Sequence, residues 1–267
     1  MDINDLLLNS SKWYEKEKTR APIQINKYKK QVEDTEKELN EAIANNETAF
    51  IIKEYQRILS EDIHTLQQYE ELNTLLRKPN EDDIAYRVHH SQQFPQKIID
   101  NLSHDDMLCF HGTTILGAKN ILLSSSISSG ADRFGRATSF DPPGKISVTN
   151  KDTAETSIRQ YMRLTDNFCY PAGCLFVVTA KNKEEYDNLP SGWMIDNVDF
   201  KENPDRLVAV ITTPENIARV RNWAKEGGIK TSKIMDFDDF INQYQQQNKQ
   251  KSPFALSQIV QTRKQKE

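Results

Sequence analysis

Leu108-Cys109-Phe110-His111-Gly112-Thr113 opens a series of short apolar and polar segments after a long helix-forming stretch. The apolar run Met107–Phe110 has the composition of a short buried strand, and the polar tripeptide His111-Gly112-Thr113 closes it. Leu116-Gly117-Ala118-Lys119-Asn120-Ile121-Leu122 follows at once with helical spacing. The histidine offers a ring nitrogen to a hydroxyl, and the threonine adds a hydroxyl of its own.

Further short runs of β-formers lie at Cys174–Thr179 and Leu207–Ile211, and Gly144–Asn150 reads as a strand leading into a helix. Helical patterns recur at Leu116–Leu123, Thr153–Leu164 and Pro214–Ala224, with a Ser-, Gly- and Asp-rich loop over Ser124–Gly144. Short strands mixed with short helices predict an α+β domain over 101–242. Upstream the texture differs. Between Ile23 and Arg77 there is no Pro or Gly, and Lys, Glu, Gln and Leu dominate. Ile51, Tyr55, Ile58 and Leu59, then Ile63, Leu66, Tyr69, Leu72 and Leu76, mark one apolar stripe. Asn45-Asn46 is the expected turn and Lys78-Pro79-Asn80 the expected stop, so residues 1–100 read as a helical hairpin or small bundle. The Gln- and Lys-rich segment 243–267 reads as a polar tail, with Phe254–Val260 its one helical candidate.

The chain has 267 residues, 37% hydrophobic and 28% charged, with a net charge of −4. It is long enough to bury a core. No basic stripe favours a nucleic-acid partner, and no apolar run reaches the roughly 18–20 residues of a membrane helix. Met1-Asp2-Ile3-Asn4-Asp5 lacks the features of a secretory signal, so synthesis and folding in a cytoplasm are expected. Cys109, Cys169 and Cys174 form neither a disulfide framework nor a C-x-x-C pair, and no metal site is expected.

Phe110-His111-Gly112-Thr113 resembles the motif ending the first core strand of the diphtheria-toxin-like branch of the ADP-ribosyltransferases. Gly144-Lys145-Ile146-Ser147-Val148-Thr149-Asn150, with the helix bearing Ala154 and Tyr161, is similar to that family's second element. Ala172-Gly173-Cys174-Leu175-Phe176-Val177-Val178 follows in the same order as its next strand. The resemblance covers about residues 107–180, and more loosely runs to 223. It implies a split β-sheet core and NAD as co-substrate, with His111, Gly112, Thr113 and Ser147 contacting it. The family's stacking aromatic falls on Ile146 or Ser147, so stacking passes to Tyr161 or to a loop aromatic such as Phe134 or Phe140. Arg133 or Arg136, in a loop that relatives carry over the adenosine half of NAD, is the expected pyrophosphate partner.

The family also places a Glu at the start of a later strand, where it stabilises an oxocarbenium-like transition state. The matching strand, Asp205–Ile211, has no Glu there; Asp205 is nearest and Glu202 lies three residues earlier, so these are the candidate acids alongside His111. The implied activity is mono-ADP-ribosyl transfer from NAD to a protein side chain with release of nicotinamide. The implied setting is a bacterial effector delivered into a host cell by a specialised secretion system, acting on ubiquitin or another host protein that the helical region selects. Two alternatives stay open: a catalytically inactive, protein-binding derivative of the NAD pocket, and an RNA 2′-phosphotransferase-like enzyme.

Overall fold

The structure is a computed structural model, and it describes residues 2–102, 107–129, 143–164, 168–182, 184–185 and 194–251. The chain divides into two compact units, one comprising 1–86 with 164–171 and the other 87–163 with 172–267.

The first unit is built on a helical hairpin. Helix α1 spans Ile3–Ala44 and α2 spans Ala49–Leu75. Asp2 caps α1 by accepting from the Asn4 N–H, and Thr48 caps α2 by accepting from Ile51. Between them Asn46 adopts φ 54°, a left-handed conformation that asparagine tolerates. The first helix runs through Pro22 and begins some twenty residues before the Pro-free stretch. Proline removes one intrahelical bond, and packing along the hairpin offsets that cost. Asp62, buried on α2, accepts hydrogen bonds from Gln31 Nε2 (2.7 Å) and Thr35 Oγ1 (2.9 Å) on α1. Tyr28 stacks on Tyr69, and Lys29 pairs with Glu70 at 3.0 Å. These three cross-links set the register of the two helices. Residues 168–170 close the unit: Cys169 Sγ donates to the Ser10 carbonyl, the Arg77 N–H donates to the Cys169 carbonyl, and Trp13 meets Tyr170 edge-on.

A third helix, α3 (Glu81–Leu102), belongs to the first unit up to Tyr86 and to the second from Arg87. The second unit is α+β. Its elements in order are β1 (Leu108–Thr113), α4 (Ile115–Ser124), β2 (Ser126–Ile127), β3 (Lys145–Ser147), α5 (Ala154–Met162), β4 (Cys174–Thr179), β5 (Met194–Asp196), β6 (Val198–Asp199), β7 (Leu207–Thr212), α6 (Ile217–Glu226), β8 (Ile234–Met235) and α7 (Phe237–Lys251). The main sheet has the order β1-β4-β7-β8, antiparallel except for the parallel pair β7-β8. Cys174–Val178 are buried on both faces, as a central strand requires. Two smaller pairs, β2-β6 and β3-β5, stand beside it.

The strand expected over Gly144–Asn150 is shorter, because Val148–Asn150 leave β3 to approach β1 and cap the next turn. The polar segment from Gln243 is helical through Lys251, since α7 continues past it from an anchored first turn in which Phe237 stacks on Phe94. The helical candidate Phe254–Val260 lies outside the described residues.

Candidate functional site

Three elements meet at the end of β1. Phe110 and Thr149 exchange backbone hydrogen bonds of 2.7 and 2.8 Å, which tie the outer edge of β1 to the residue two beyond β3. The Ser157 hydroxyl of α5 donates to the Phe110 carbonyl at 3.0 Å and accepts from Thr149 Oγ1 at 2.9 Å. At Gly112 the α5 backbone comes so close that an added Cβ would stand 2.7 Å from the Ser157 carbonyl carbon. Glycine at 112 is thus demanded by strand–helix packing. The Ser157 carbonyl occupies the side of Gly112 on which a Cβ would stand.

One residue past the bridge, His111 Nδ1 lies 2.8 Å from the Ser147 carbonyl oxygen. A carbonyl only accepts, so Nδ1 carries a hydrogen. Thr113 lies with its Oγ1 against the first turn of α4, at the place where a side chain on Gly117 would stand. Thr114 caps that helix by accepting from the Gly117 N–H at 3.2 Å. The structure therefore brings His111 and Ser147 together and places Gly112 and Thr113 in continuous strand beside them.

Tyr161 takes a different position from the stacking role considered for it. Ser157, Ile158, Tyr161 and Met162 form the buried face of α5. The Tyr161 ring is 1% exposed and lies parallel to Phe94, with centroids 6.5 Å apart. It is a core side chain. Arg133 and Phe134, like Arg136 and Phe140, lie outside the described residues.

The acids considered from the sequence are not brought to His111. Asp205 sits exposed in the turn before β7. In the sheet register His111 is opposite Phe176, and Phe176 is opposite Val210. From Val210 back to Leu207 is about 10 Å along the strand, and β7 is two strands from β1, about 10 Å across. Glu202 is an exposed turn residue whose N–H donates to Asp199 Oδ1. The physical reason is topological: the strand that Asp205 precedes pairs with β4, whereas the strand paired with β3 is β5.

That pairing brings in a carboxylate that sequence reasoning missed. Ser147 is opposite Met194, and Lys145 is opposite Asp196. Ile146 and Ile195 are buried, so Lys145, Ser147, Met194 and Asp196 share the outer face. Asp196 thus stands about 7 Å along the strand direction from Ser147. Its ion pair with Lys145 holds the carboxyl below the usual carboxylate range, so it is ionised at neutral pH. Its N–H donates to Glu185 Oε1 at 2.9 Å; Glu185 pairs with Arg206, and Arg206 Nε donates to the Thr179 carbonyl. The only local signal for β5 is the short apolar run Trp193-Met194-Ile195.

Cys109 and Cys174 are buried, and burial pushes both thiols up to about 12. Among the described residues no group of His, Cys, Asp and Glu is arranged to hold a metal ion, and no helix is long and apolar enough to cross a membrane. No protein-family model, curated protein or solved structure matches the chain.

Proposed function

We propose that the second unit binds NAD where β1 and β3 part, and that the protein transfers ADP-ribose from NAD to a protein side chain. The observation that carries this reading is the contact of His111 with Ser147, 36 residues apart. These are two of the positions that the resemblance assigns to NAD. In this reading His111 Nε2 accepts a hydrogen bond from a ribose hydroxyl, and Gly112, which like Phe110 turns its backbone N–H and C=O away from β4, presents them to the nicotinamide end. The bond from the ribose C1′ to nicotinamide breaks, and the electron pair leaves with nicotinamide. An ionised carboxylate stabilises the positive charge that develops on the sugar. The acceptor side chain forms the new bond to C1′ and releases its proton to solvent. Asp196 takes the acid role in place of Asp205 and Glu202, since it alone of the three lies on a strand paired with β3. The α1–α2 hairpin is assigned to recognition of the acceptor protein.

A second reading, a binding module with a lapsed NAD pocket, is favoured by the burial of Tyr161 and by Ile146 and Ser147 standing where an aromatic would stack. Incubating the full chain with labelled NAD and cell lysate separates the two. Transfer predicts labelled protein, a loss of at least about 100-fold in His111→Ala and Asp196→Asn, and activity within a few-fold of wild type in Asp205→Asn and Glu202→Gln. Absence of both label and nicotinamide release from a folded wild-type protein refutes transfer and leaves the binding module. Label on RNA alone points to nucleic-acid chemistry.

A further inference from the structure

The turn before β7, the turn after α6 and the residues leading into β8 enclose a cavity of about 220 Å³ in the second unit. Its apolar lining includes Phe200 and Leu207, both buried. Its charged lining is Lys201, Lys230, Lys233 and Asp205. Lys233 is the fixed member. Its ammonium donates to the Pro204 carbonyl at 2.8 Å and to the Leu207 carbonyl, and an ammonium has one proton beyond those two bonds. Burial lowers the Lys233 pKa, which marks a cation that has lost part of its hydration without full compensation. Lys201 and Lys230 stand exposed, also lining the cavity. Three lysines against one aspartate give an excess of two positive charges, which suits a dianion.

Size narrows the occupant. A volume of about 220 Å³ has room for a phosphate group with a small appendage. Lysine is a point-charge partner for phosphate, and Asp205 in the same lining offsets part of that attraction.

We propose that this cavity is a binding site for the phosphate group of a small molecule, with Lys233 as its anchor and Lys201 and Lys230 as its outer contacts. The site is separate from His111 and does not depend on the NAD reading. Calorimetric titration of the full chain with inorganic phosphate, and in parallel with glycerol 3-phosphate, tests it. Wild type is compared with Lys230→Gln, Lys201→Gln/Lys230→Gln, Asp205→Asn, His111→Ala and Lys53→Gln, a lysine that does not line the cavity. Thermal melting confirms that each variant folds, and the exposed Lys201 and Lys230 leave the core untouched. The expected result is saturable binding, weakened at least about threefold for each outer lysine removed and strengthened by a similar factor in Asp205→Asn. His111→Ala and Lys53→Gln bind as wild type does. Tighter binding of the ester than of free phosphate, or the reverse, identifies the source while supporting the site. Either of two results overturns the proposal: no saturable binding of either compound at millimolar concentration, or equal affinity in the double-lysine variant and Lys53→Gln.

Discussion

Replacing Gly112 with alanine tests whether strand–helix packing dictates this position. The new Cβ would stand 2.7 Å from the Ser157 carbonyl carbon and 2.9 Å from its Cα, and nearer still to its oxygen. Ordinary van der Waals contact begins near 3.4 Å, so α5 must retreat from β1 by at least about 0.7 Å. The obstacle is backbone, and no side-chain rotation relieves it. Overpacking of this kind costs about 1–3 kcal/mol. The retreat also stretches the hydrogen bonds of Ser157 to Phe110 and Thr149, each contributing about 1 kcal/mol. Together the expected loss is about 3 kcal/mol, or roughly 6–12 °C in the melting of a unit of this size. Calorimetry gives the first quantity. Hydrogen exchange localises it, with faster exchange expected in Ala154–Met162 and Leu108–Thr113 and unchanged exchange in α1 and α2. A loss below about 1 kcal/mol, or unchanged protection of Ala154–Met162, would refute the reasoning and return Gly112 to a ligand-driven explanation.

Removing the buried carboxylate in Asp62→Ala leaves the Gln31 amide and Thr35 hydroxyl without their acceptor, and about 1–3 kcal/mol of hairpin stability is expected to go with it in urea denaturation. Cys109 and Cys174, pushed up to about 12 by burial, are almost wholly protonated at pH 8. A disulfide reagent is therefore expected to titrate neither until denaturant is added, and fast modification of either in the folded protein would contradict their burial. Asp238, at the start of α7, is hydrogen-bonded by Lys97 and faces His90, which lowers its pKa below the ordinary 3.8. A folded value below the unfolded one makes the stabilisation fully present above about pH 4 and lost as pH falls through the folded value. The stability gap between wild type and Asp238→Asn is thus expected to be small, and to close on acidification from pH 5 to pH 2.5; a gap that widens would reverse the assignment. At Gly144, where φ is +76° and no atom lies within 4 Å of an added Cβ, alanine is expected to cost only the left-handed conformation, about 1–2 kcal/mol.

The sequence by itself determined the local elements. Period and the lack of Gly and Pro marked the long helices, and Asn45-Asn46 marked their turn; helix α1 nevertheless passes through Pro22, because a long hairpin interface outweighs one missing bond. The mostly apolar run Cys174–Thr179 is a strand with those same ends, and the strand that closes on His111-Gly112-Thr113 does lead into a helix. These features depend on residues a few positions apart, where propensity, capping and side-chain alternation act. Only the tertiary structure decided what surrounds His111. It seated the Ser147 carbonyl on its ring, filled the space beside Gly112 with the α5 backbone, turned Tyr161 into the core, and put Asp196 rather than Asp205 on the strand beside β3. Each depends on pairings between segments tens of residues apart, and a register there is selected by the packing of whole faces. Hydrophobic pattern says which face of a strand is buried; it does not say which strand lies next to it.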